Sequence, residues 1–172
     1  TYSRWTEVLR LTVGVLVNEY HDEGMNVAFD WLRELAEQRK SSEGDPGDLG
    51  LALVLTSLGE VGDRAALWTN SNWVQLEEAV ANTWTQALID ASLYQQVVRQ
   101  KRLLNMAQDL RHLCPSAIAL VVEHLGGDTF SKKRSAYAAA LQALGKLGRH
   151  APISQLLHAC LLYTSDAADD LT

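Results

Sequence analysis

The sequence predicts an all-α fold: antiparallel helical hairpins stacked as a short α-solenoid of degenerate, HEAT-like character. Three observations carry that prediction. Apolar residues recur at spacings of three and four through most of the 172 residues, which is the signature of one helix face. No segment shows sustained apolar alternation bounded by hairpin turns, so strand content should be near zero. Two proline-led helix starts, Pro115 and Pro152, lie 37 positions apart, the length of a helical-pair repeat.

Trp5, Val8, Leu9, Thr12, Val15 and Leu16 mark a first helix over about 4–19, with Ser3 or Thr6 ahead of Glu7 as its start signal. Met25, Ala28, Phe29, Leu32, Leu35 and Ala36 mark a second over about 24–39, closed by Arg39 and Lys40 at the negative end of its dipole. The stretch 41–48 holds turn formers and no large apolar residue, and its Asp48 is a candidate cap for the next helix. Leu49, Ala52, Leu53, Leu55 (or Thr56) and Leu58 form the third, ended by Gly59 and Gly62.

Trp73, Leu76, Val80, Trp84, Ala87, Leu88 and Ala91 mark a longer helix capped by Asn70, Ser71 or Asn72. Val97, Val98, Leu104, Ala107, Leu110 and Leu113 mark another, which Pro115 stops. Proline suits a helix's first turn but not its interior, so Pro115 also opens a short helix through Leu125. Gly126-Gly127-Asp128 ends it, and Thr129 or Ser131 starts a helix running through Tyr137, Ala140, Leu144 and Leu147. The expected organisation is a helical region over 1–113, a HEAT-like repeat with the first helix of the next over 114–159, and a separate tail over 160–172.

Composition narrows the function classes. With 21 acidic and 15 basic side chains the net charge is −6, which argues against nucleic-acid and anionic membrane partners, since both need clustered Lys and Arg. No apolar run approaches the roughly 18 residues of a membrane span. The start, Thr1-Tyr2-Ser3-Arg4-Trp5, is no signal peptide and has no initiator Met, so a fragment is expected. Two cysteines, Cys114 and Cys160, make no disulfide framework and suit a reducing cytoplasm.

Residues 160–170, Cys-Leu-Leu-Tyr-Thr-Ser-Asp-Ala-Ala-Asp-Asp, resemble the translation of a transposase-based sequencing adapter. The natural sequence is therefore expected to end near Ala159. Without Asp166, Asp169 and Asp170 the acidic count falls from 21 to 18 and the net charge becomes −3.

Pro115 to Leu125, the helix ending Ala143-Leu144-Gly145-Lys146-Leu147, and Pro152 to Ala159 together resemble a HEAT repeat followed by the opening helix of the next. Ala136-Tyr137 stands where that pattern usually has Val-Arg, which makes the repeat degenerate. Trp5 to Leu16, Phe29 to Leu35, Leu51-Ala52-Leu53 and Leu58-Gly59-Glu60-Val61-Gly62 resemble the helical region that follows the winged helix of bacterial NACHT-type STAND NTPases. This resemblance implies an upstream ATPase switch and a C-terminal helical part that senses a ligand or restrains the switch. The alternative is a free-standing HEAT-repeat scaffold or adaptor.

No catalytic constellation is legible, and no enzyme activity or cofactor is expected of these residues. Gly145-Lys146-Leu147-Gly148 lacks the earlier glycine and the hydroxyl of a Walker A loop. His112, Cys114 and His124 supply no second close ligand pair for zinc. Glu77-Glu78 and Asp22-Glu23 read as solvated helix faces. Candidate contact residues are the basic cluster Lys132, Lys133 and Arg134, whose place near a helix start opposes the dipole, with Arg99, Lys101, Arg102 and Arg111 as further basic charge. Trp68 and Trp73 are the aromatic candidates, although Trp73 shares one face with Leu76, Val80 and Trp84 and core packing is favoured there. The expected partners are proteins or other domains of a parent chain.

Overall fold

The structure, a computed structural model, describes residues 2–37, 47–59, 61, 70–113, 119 and 134–147. Among them lie six helices and no strand: α1 (Tyr2–Glu19), α2 (His21–Glu37), α3 (Gly47–Leu58), α4 (Ser71–Leu93), α5 (Val97–Leu113) and α6 (Arg134–Leu147). The described residues are thus all-helical, as the apolar spacing requires. Apart from Ala119 and α6, the HEAT-like segment over 114–159 lies outside the described residues, as do Pro115, Pro152 and the tail from 160.

The chain divides into two compact units, Thr1–Trp84 and Thr85–Thr172. The division falls inside α4, whereas the sequence places its boundary at 113/114. In the first unit α1 packs on α2 and α3, and α2 packs on α3. Only Tyr20 separates α1 from α2, and Gly24 makes so tight a corner feasible. A Cβ at residue 24 would stand 2.5 Å from the Tyr20 Cβ and press still harder on the Leu16 carbonyl oxygen. Gly50 plays the same part for α3, since a Cβ there would lie 2.6 Å from the Leu35 carbonyl oxygen.

The core face of α2 is the expected one, with Ala28, Phe29, Leu32 and Ala36 buried. Its helix begins earlier than expected, at His21, so that Asp22 and Glu23 occupy the first turn, where anions are favoured by the dipole. Asp48 likewise lies within the first turn of α3 and is buried, which corrects its expected place ahead of the helix. The end of α3 at Leu58 is as expected: the Gly59 N–H donates to the Thr56 carbonyl at 3.2 Å.

α4 keeps every apolar position assigned to its core, from Trp73 through Ala91. Of three candidate caps, Asn70 is the one used. Its Oδ1 accepts from the Asn72 N–H at 2.9 Å and the Trp73 N–H at 3.1 Å, satisfying two donors that the first turn otherwise leaves open. Trp73 meets Phe29 edge-on, with ring centroids 5.2 Å apart and planes at 64°, a geometry worth about 0.5–1.5 kcal/mol beyond area burial.

Contacts between α2 and α4 ascend together along both helices: Asn26 with Asn70, Asp30 with Asn72, Phe29 with Trp73, Arg33 with Gln75.

In the second unit α5 packs on α6, burying Leu103, Leu104, Ala107 and Leu110 from one and Ala139, Ala143 and Leu147 from the other. The α4–α5 connection is a Schellman turn. The Gln96 N–H donates to the Ala91 carbonyl at 2.8 Å and the Gln95 N–H to that of Ser92 at 3.4 Å, with Gln95 left-handed at φ 54°.

Three further expectations need correction. α1 buries Val13 fully and leaves Val8 and Val15 half exposed, so its inward face is turned by roughly a quarter of a helical turn from the predicted one. Its core partners sit on two sides, α2 and α3, and they define the inward direction. Val97 and Val98, assigned to the core of α5, are exposed at 72% and 73% because they open the helix at the turn, beyond its buried Leu103. Glu77 is 3% exposed, not part of a solvated face.

Candidate functional site

Of the residues singled out from sequence, Trp73 is placed in the core at 1% exposure, so it packs and does not present a contact surface. Lys132, Lys133 and Trp68 lie outside the described residues. Arg134 is the first residue of α6. Trp73 and Arg134 belong to different units. Lys101 and Arg102 are exposed on α5, one turn beyond Val97 and Val98 and on the same face.

His112 is in the last turn of α5, while Cys114 and His124 lie outside the described residues. Among the described residues no group of three His, Cys, Asp or Glu is placed to hold a metal ion. Gly145, Lys146 and Leu147 are helical, in the final turns of α6. A Cβ at Gly145 would meet nothing within 4 Å, so no neighbouring part of the described structure requires glycine there.

Two surfaces of the first unit have organised chemistry. One is the polar seam between α2 and α4. The Asp30 carboxylate lies 3.3 Å from the Arg33 guanidinium and accepts from the Asn72 amide at 3.4 Å. Arg33 also donates to the Gln75 side-chain carbonyl. The seam opens into a cavity of about 320 Å³ lined by Arg33, Glu37, Gln75, Glu78, Ala79 and Asn82. One guanidinium, two carboxylates and two amides can hold water or a hydrogen-bonding guest, but none of these groups is a nucleophile of the Ser, Cys or Lys kind.

The second surface is apolar and lies on the outer side of α1. Val8, Leu11 and Val15 are exposed at 52%, 54% and 50%, at spacings of three and four that set them in one stripe. On the opposite side of the same helix Val13 is fully buried. α1 is thus apolar on two sides, a pattern expected of a helix covered on both. Val27 and Trp31 add a smaller exposed pair on α2.

Sequence reasoning missed these surfaces in different ways. Val8 and Val15 fit the apolar period that marks the expected core face of α1, and Leu11 falls outside that period. Val27 and Trp31 carried a usable signal, because both fall off the 25/28/29/32/35/36 face. Buried Glu77 did too: it lies one turn from Trp73 and two from Trp84, on the face of α4 that carries the core. Removing a carboxylate from water is costly unless it is compensated, and Glu77 is not isolated there.

Against known proteins the chain matches no family model, no curated protein and no solved structure. Among the described residues no helix is long and apolar enough to cross a membrane.

Proposed function

We propose that this chain is a helical scaffold segment that acts by recognising protein surfaces, within the sensor or regulatory part of a NACHT-like signalling ATPase. The observation that carries the recognition reading is the two-sided α1. A helix that already buries one face in its own core, yet presents Val8, Leu11 and Val15 outward, is built to be covered by another surface. The polar seam between α2 and α4 adds hydrogen-bonding groups, Arg33, Gln75 and Asn82, to the same unit.

The NACHT setting is supported by the likeness of Trp5 to Leu16 and Phe29 to Leu35 to the helices that follow the switch in that family. The coding sequence upstream of Thr1 tests it. A strand, a Walker A loop and a following Asp-rich strand within the preceding few hundred codons are expected. An initiator Met directly before Thr1 would remove the ATPase setting and leave a free-standing scaffold.

A further inference from the structure

We propose that α1 is a self-association helix: two copies of this chain pair antiparallel along the Val8, Leu11 and Val15 stripe, with Arg4 of each copy facing Glu19 of the other. The proposal rests on the recognition reading above and names the partner.

The arrangement of residues along α1 argues for a second copy. Positions 4, 8, 11 and 15 form one seam at alternating spacings of four and three, as in paired helices. The seam is nearly palindromic in chemistry about a point between Leu11 and Thr12. Val8 and Val15 are equidistant from that point, and so are Arg4 and Glu19. A two-fold axis there sets valine against valine and cation against anion at both ends, which is the self-complementarity an isologous interface needs. A parallel pair would instead set Arg4 against Arg4 and Glu19 against Glu19.

Charge favours the same choice. α1 carries two cations and two anions, of which Glu7 and Arg10 bond to each other within the helix at 2.9 Å. Arg4 and Glu19 are both exposed. Self-pairing of this helix therefore meets no net repulsion, and antiparallel macrodipoles attract. An 18-residue helix is about 27 Å long, and one such pair falls short of the roughly 1,600 Å² of a standard interface. The association is accordingly weak, with a dissociation constant on the order of 10–100 μM.

The test is sedimentation equilibrium of the whole chain from about 1 to about 500 μM. The weight-average mass should climb from 19.0 kDa towards twice that value. Leu11→Glu should stay monomeric with an unchanged far-ultraviolet circular dichroism spectrum, since Leu11 is half exposed. Arg4→Glu and Glu19→Arg should each weaken the dimer roughly tenfold, and the double variant should recover it. A wild-type chain that remains monomeric throughout overturns self-pairing. A double variant no tighter than either single one overturns the antiparallel register. Neither result depends on the upstream coding sequence, so failure here is separable from failure of the NACHT setting.

Discussion

Gly24 and Gln95 are two residues whose backbone positions ask for opposite substitutions. At Gly24 any Cβ would collide with Tyr20 and with the Leu16 carbonyl, and those are a Cβ atom and backbone, neither of which can swing aside. Gly24→Ala should therefore lower stability by about 2–3 kcal/mol through displacement of α2 from α1, read as a lower urea midpoint with an unchanged slope. At Gln95 the left-handed φ of 54° costs a side chain about 1 kcal/mol that glycine does not incur. Gln95→Gly should raise stability by up to about 1 kcal/mol, whereas Gln95→Ala should leave it nearly unchanged. A midpoint lowered by Gln95→Gly would contradict the Schellman geometry. Neither position was legible in the sequence. Gly24 stands at the expected start of the second helix, where nothing marks it as a close contact with the first, and 92–96 contains none of the Gly, Pro or Asn that normally announce a turn.

At the scale of elements, α2 and α4 could be read face by face because each has a single apolar side. α4 also depends on a cap that periodicity cannot choose. Asn70, Ser71 and Asn72 are all good cap residues, and only the chain's approach to the helix selects Asn70, whose amide further donates to Asn26 at 3.1 Å. Asn70→Ala should cost about 1–2 kcal/mol, while Ser71→Ala should cost less than about 0.5 kcal/mol, as is usual for surface changes away from such features. Equal losses from both, measured by thermal unfolding, would put the cap elsewhere. α1 shows where element reading fails. Its apolar residues surround much of the helix, so two inward faces were equally consistent with the sequence. α5 fails differently: Val97 and Val98 fit its period but sit in the first turn, outside the reach of the helix packed against its middle.

For the molecule as a whole, the division between units inside α4 has a measurable consequence. All five tryptophans, Trp5, Trp31, Trp68, Trp73 and Trp84, lie in Thr1–Trp84, so their fluorescence reports the first unit while circular dichroism reports both. The i to i−4 hydrogen bonds of α4 run across the Trp84/Thr85 division, so the two signals should show one urea midpoint. Thr85→Pro breaks that ladder at a cost of about 3 kcal/mol or more and should separate them. Two midpoints in the unaltered chain would show that α4 does not transmit unfolding. What the sequence determined by itself was the all-α class, the span of α4 and the inward faces of α2 and α4. These follow from spacing within one segment, a local property that each helix carries wherever it is placed. What only the tertiary structure decided was which side of α1 turns inward, that Glu77 is buried, and that Val8, Leu11 and Val15 face outward together. A helix with two apolar sides has no unique inward direction until its neighbours are in place, and here those neighbours are two other helices, α2 and α3, whose packing no spacing within α1 encodes.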